Sequence, residues 1–135
     1  MGIYNRFHAN LMNKEVDLEA DTIKVMLLDD NHAFDRTDNV LADVSANEIS
    51  GVGYTAGGQE LAGKAVTQNT ITKWDANDAQ WLNATFSAWH AVIYDDDLGS
   101  DDLICSIDFG GEQTVTDGTF QIIWDTDGII TLEEA

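Results

Sequence analysis

Three apolar runs of strand length dominate the second half of the chain: Ser87–Tyr94, Leu103–Phe109 and Thr119–Trp124. Each is too short for a buried helix and each ends in turn residues, so together they predict the central strands of an antiparallel sheet. Thr22–Leu28 adds a further strand, with Ile23, Val25 and Leu27 on one face, Lys24, Met26 and Leu28 on the other, and Asp29-Asp30-Asn31 ending it. Lys64–Trp74 alternates without a clearly apolar face and predicts an edge strand or hairpin. Asp75–Phe86 carries Trp81, Leu82 and Phe86 among polar residues and is expected as a loop or short strand folding over the sheet. Ile129–Leu132 is the last predicted strand, followed by a short tail, Glu133-Glu134-Ala135.

Turn chemistry separates these runs. Asp95–Asp102 makes a charged tip, Gly110-Gly111 and Asp117-Gly118 are expected to reverse the chain between successive strands, and Asp127-Gly128 predicts a type I′ hairpin. Helix is scarce. Asn5 is placed to cap Arg6–Asn13, a two-turn amphipathic segment or docking arm with Phe7, Leu11 and Met12 on one side. His32–Ser50 breaks into short pieces with one or two helical turns anchored by Val40, Leu41, Val44 and Ile49, and Gly51–Gly63 is a glycine-rich connection. Seven or eight short strands with so little helix predict an all-β fold, a single antiparallel β-sandwich or jelly-roll-like domain over residues 15–135, preceded by an arm or short helix over residues 1–14. A chain of 135 residues is long enough to bury such a core without staples.

Charge then removes one class of partner. Six Lys and Arg stand against 25 Asp and Glu, a formal net charge of −19, and nucleic-acid affinity depends on neutralising phosphates. No nucleic acid is expected as a partner. Nor is a membrane: no apolar run approaches the roughly 18 residues of a span, and Met1–Lys14 is too polar for a signal peptide, so an intracellular product is expected. The single Cys105 lies in an apolar strand and reads as a buried packing residue. With 11 Gly and no Pro, turns fall to residues that tolerate positive φ.

Candidate chemistry is thin. Gly51–Ala56 matches a dinucleotide fingerprint in letters, but that motif needs a strand before it and a helix after it. Gly58–Ala65 misses a P-loop, because Ala65 stands where a hydroxyl would hold magnesium. Asp95–Asp102 offers five carboxylates around Gly99 without EF-hand spacing and reads as a solvated tip. His8, His32 and His90 are isolated from one another, and no Ser-His-Asp order or nucleophile elbow is present. Trp74, Trp81, Trp89 and Trp124 fit either a sugar-binding surface or core packing. No catalytic, cofactor-binding or metal-binding residue is assigned, and no cofactor.

Asp21–Leu28, the Gly53-Tyr54-Thr55-Ala56-Gly57-Gly58 loop with Leu61 and Gly63 beyond it, Ala91–Tyr94, Ile129–Leu132 and the opening Tyr4-Asn5-Arg6-Phe7 carry a resemblance. Over most of its length the chain resembles a family of small virion structural proteins of tailed bacteriophages. The resemblance implies a non-enzymatic capsid decoration or cement protein, made in the host cytoplasm and bound to the outer capsid surface. The implied partners are the major capsid protein and further copies of the chain in a homo-oligomer, a trimer among them. Docking is expected through Tyr4, Arg6, Phe7 and Leu11, with the acidic tip facing solvent. The alternative is a tail-associated or fibre protein that binds a receptor glycan.

Overall fold

The structure, a computed structural model, describes residues 1–133; Glu134 and Ala135 of the expected tail lie outside the described residues. Strands make up 47% and helices 11%, so the fold is the all-β sandwich expected, with two antiparallel sheets and one short N-terminal helix. In chain order the elements are β1 (Gly2–Ile3), α1 (Asn5–Met12), β2 (Ile23–Leu28), β3 (Gln59–Glu60), β4 (Ala65–Gln68), β5 (Thr72–Asp75), β6 (Ala79–Asp95), β7 (Asp102–Ile122) and β8 (Ile130–Leu132). Short 3-10 turns at Leu41–Asp43 and Ser45–Asn47 supply the helical turns expected of the irregular segment. The larger sheet has the order β1-β7-β6-β2-β3 and the smaller β4-β5-β8.

The alternation along β2 explains how the larger sheet is buried on both sides. Ile23, Val25 and Leu27 join Ala91 and Ile93 of β6 and Trp74 and Ile130 of the smaller sheet in the main core. Met26 and Leu28 point the other way, into a second cluster with Tyr4, Val44, Val92, Tyr94 and Leu103. The irregular segment before the glycine loop therefore roofs the second face through Val44 and Leu41. Burying a side chain such as Leu27 or Met26 contributes roughly 1.5–3 kcal/mol, so both faces stabilise the sheet.

β6 and β7 form one long hairpin of 17 and 21 residues, and here the turn expectations need correction. Asp75–Phe86 is not a loop over the sheet: from Ala79 it is the first half of β6. Gly110-Gly111 and Asp117-Gly118 do not reverse the chain but lie inside β7. The register shows why. Ala88 faces Gln113 while His90 faces Asp108, so β7 carries extra residues at Gly110-Gly111, whose φ values are 79° and 151°. Phe86 faces Val115 while Ala84 faces Gly118, and Asp117 in between has φ 46°. Residues tolerant of positive φ thus make β-bulges that bend a continuous ribbon. Asp127-Gly128 likewise closes no hairpin between neighbouring strands, because β8 crosses to the smaller sheet and pairs with β5.

The short helix expected within residues 1–14 is present, and β1 joins it to the larger sheet. Gly2 and Ile3 pair with Ser106 and Cys105 of β7, and α1 begins one residue earlier than expected, with Tyr4 at the N-cap in place of Asn5 and no side-chain cap. Lys64–Trp74 forms the expected hairpin, as β4 and β5.

Candidate functional site

Of the four expected docking residues, two are interior. Tyr4 is 0% exposed, in the second cluster, and Phe7 is 2% exposed, in the main core. Leu11 is half-buried against that core, and Arg6 turns its guanidinium towards Asp102, with Nε 3.8 Å from the carboxylate. Asn10, one helical step from Phe7 on the same inward stripe, donates from Nδ2 to Asp102 Oδ2 at 2.9 Å. A polar residue on an apolar stripe is the sequence signal for this clamp, since it must find a partner when buried.

The Gly53–Gly58 loop is also spent on architecture. The Tyr54 hydroxyl donates to Glu48 Oε2 at 2.7 Å and accepts the Leu27 N–H at 3.0 Å. The same Glu48 oxygen accepts the Gly57 N–H at 2.7 Å, and the Tyr94 hydroxyl donates to the Gly57 carbonyl. Burial pushes both phenols above their ordinary range, so they remain protonated donors. The dinucleotide reading fails on context: Gly51–Ala56 follows 3-10 turns and leads through turn residues to β3, so no helix N-terminus meets it. At the P-loop near miss, Lys64 Nζ donates to the Leu61 carbonyl at 3.3 Å.

The three histidines, distant in sequence, line one cleft of ≈ 630 Å³ with Arg36, Ser106 and Asp108. His32 Nε2 lies 3.0 Å from Ser106 Oγ, the His32 and His90 rings meet edge-on at 5.1 Å, and His90 Nδ1 lies 3.8 Å from Asp108 Oδ1. Burial, and then His90, hold His32 below the ordinary imidazole pKa and favour its neutral form. A serine beside a neutral imidazole supplies two of the three groups of a nucleophilic triad, which also needs an accessible hydroxyl and a carboxylate on the same imidazole. Here Ser106 is only 4% exposed, and the carboxylate pairs with His90 instead of orienting His32. Only the tertiary structure brings these groups together.

The acidic tip departs from a wholly solvated one. Asp96 and Asp97 are exposed, but Asp95 and Asp102 are 0% and 7% exposed. Asp21, from the segment entering β2, joins Asp95 and Asp97 so that one oxygen from each lies within 4.8 Å of the others. Burial, and then the Asp21 carboxyl, push Asp95 above the ordinary carboxylate range. Asp21 carried no signal in the sequence beyond its charge. The tryptophans form no common exposed platform: Trp74 and Trp81 are in the core, while Trp89 and Trp124 are half-buried and Trp124 Nε1 donates to the Asn77 carbonyl at 3.0 Å.

A last feature is the outer edge of β7. β1 covers it only at Cys105 and Ser106, so from Ile107 onward that edge has no strand partner among the described residues. Ile107, Phe109, Val115, Phe120, Ile122 and Ile123 line a trough of ≈ 550 Å³ along it. No protein-family model matches the chain, and neither a curated protein nor a solved structure matches it.

Proposed function

We propose that this chain is a non-enzymatic structural protein of a tailed bacteriophage virion, a decoration or cement protein on the outer surface of the capsid lattice. The observation that carries the reading is the free outer edge of β7 with its apolar trough. An open edge offers main-chain donors and acceptors to a neighbouring strand, and the trough adds apolar burial. Repeated on a lattice, individually weak contacts gain strength through effective concentration. The partners are the major capsid protein and further copies of the chain.

Two other observations support it. The net charge of −19 suits an outer surface and opposes contact with packaged DNA. The Gly53–Gly58 loop, the mark of the resemblance, serves the fold through its bonds to Glu48, which suits a family that supplies a role in the particle and no activity. Because Tyr4 and Phe7 are interior, the docking role of the N-terminal helix narrows to Arg6, Leu11 and the 87%-exposed Met12.

The test uses particles lacking the protein, to which purified chain is added before bound copies are counted and the particles imaged. Ile123→Asp puts a charge beside the trough on a side chain that is 73% exposed and so spares the core. Bound copies are expected at capsid lattice positions and to fall about tenfold with the variant, equivalent to about 1.4 kcal/mol per site. Undiminished occupancy of Ile123→Asp removes the edge from the mechanism. Density on the tail or fibres replaces the capsid reading with receptor attachment, and density against the genome overturns both.

A further inference from the structure

We propose that Asp21, Asp95 and Asp97 form a calcium site that ties the segment entering β2 to the tip of the β6–β7 ribbon. The inference stands apart from the virion reading, since it concerns the isolated chain.

Asp95 ends β6 with its carboxylate fully buried. Oδ1 accepts the Asp97 N–H at 2.9 Å, but Oδ2 receives no hydrogen bond from any N–H or hydroxyl group, and the Asp21 carboxyl stands against the Asp95 carboxyl. A buried carboxylate oxygen left without a donor costs on the order of 1–3 kcal/mol or more, so native structures fill such a position with a donor, a water or an ion. What stands around Asp95 is more negative charge: the side chains of Asp21 and Asp97, with one oxygen of each within 4.8 Å of the others. No salt bridge joins a Lys or Arg to these three carboxylates among the described residues, and Lys24 Nζ on β2 pairs instead with Asp96 Oδ2 at 3.2 Å.

The backbone holds these carboxylates in place. Asp97 Oδ2 accepts the Thr22 N–H at 2.6 Å, Asp21 Oδ2 accepts the Asp17 N–H at 3.0 Å, and the Asp96 N–H donates to the Thr22 carbonyl at 2.8 Å. The three side chains therefore converge from two separate segments locked to each other, as a site for one ion requires. Two oxygens bound to the same calcium at about 2.4 Å lie at most about 4.8 Å apart, and the three carboxylate oxygens lie within 4.8 Å of one another, so their separations fall within what a shared calcium spans. All donors are hard oxygens and the Asp97 end is exposed, leaving room for waters to complete six to eight ligands. Magnesium, which dehydrates reluctantly and usually takes only one or two carboxylates within a tight octahedron, is disfavoured where three carboxylates converge.

The experiment takes the full chain stripped with chelator and measures Tm and ion stoichiometry on adding calcium or magnesium at 1 mM. Calcium is expected to bind at one ion per chain and raise Tm by roughly 5 °C, as for a ligand about tenfold above its Kd. Magnesium at the same concentration is expected to do clearly less, which separates coordination from screening of an acidic surface. Asp95→Asn should abolish the calcium-specific rise, and so should Asp97→Asn, whose exposed position keeps the test available if the buried variant does not fold. Asp30→Asn, an exposed carboxylate outside the cluster, should leave it intact. Equal responses to the two ions, no response to calcium, or a calcium shift that survives Asp97→Asn overturns the site.

Discussion

Gly57 and Gly58 offer a direct test of what fixes the glycine loop. Both have positive φ, 93° and 85°, so alanine at either position meets the left-handed penalty of about 1–2 kcal/mol. Their surroundings differ. A Cβ on Gly57 would have only the Tyr94 hydroxyl nearby, at 3.5 Å, whereas a Cβ on Gly58 would lie 1.9 Å from the Val25 carbonyl oxygen and 2.8 Å from Met26 Cα. Real Cβ atoms essentially never approach closer than 3.0 Å, so the loop must retreat by about 1.1 Å. β2 cannot give way instead, since it is buried and paired with β6 from Ile23 to Leu28. The retreat would break the Lys24↔Glu60 and Val25↔Gln59 pairings and strain the Gly57 bonds to Glu48 and Tyr94. At about 1 kcal/mol for each hydrogen bond lost, Gly58→Ala should destabilise the chain by about 3–5 kcal/mol, and Gly57→Ala by about 1–2. Urea unfolding followed by tryptophan fluorescence reads the difference: with a slope of about 1.5–2 kcal/mol per molar, the Gly58→Ala midpoint should fall by about 2 M and that of Gly57→Ala by no more than about 1 M. If the two variants unfold within about 0.3 M of each other, the close approach to Val25 is not what requires glycine.

Two further outcomes follow from buried groups. His32 is held below its ordinary pKa by burial and by His90, against the opposing fields of Asp29 and Asp108, with His8 and Arg36 lining the same cleft. The unfolded chain therefore takes up that proton first, so its contribution is fully present above the unfolded value near 6.5 and is lost as pH falls below it. Urea midpoints at pH 7.5 and 5.5 should show a shallower fall for His32→Gln than for the parent chain, the difference bounded by about 1.4 kcal/mol per pH unit; parallel profiles would refute it. Cys105 is 0% exposed and its thiol is pushed up to about 12 by burial, so a thiol reagent should label no cysteine in the native chain and one after unfolding in urea. Rapid native labelling would show that β7 opens at its paired end.

Local periodicity made much of the sandwich legible. The two faces of Ile23–Leu28 were readable because a strand's side chains alternate, and each face does meet a separate cluster. The β4–β5 hairpin was readable from alternation without a clearly apolar face, and the strand at Ile130–Leu132 from its short apolar run. Turn chemistry misled at Gly110-Gly111 and Asp117-Gly118, because a residue that tolerates positive φ serves a bulge as well as a reversal, and only the partner strand decides between them. Among the candidate docking residues, Phe7 and Leu11 were correctly placed on one helix face, but that face is the one the core covers.

What residue order determined alone was the all-β class, the faces of the strands, the buried cysteine and the strong negative charge, since each depends on side-chain type and near-neighbour spacing. What only the tertiary structure decided was which distant groups meet: Asn10 with Asp102, His32 with Ser106, Glu48 with Tyr54, and Asp21 with Asp95 and Asp97. Those meetings depend on register and on how loops cross the sheet. Both are set by the summed burial of the whole chain, and no short stretch of sequence encodes them.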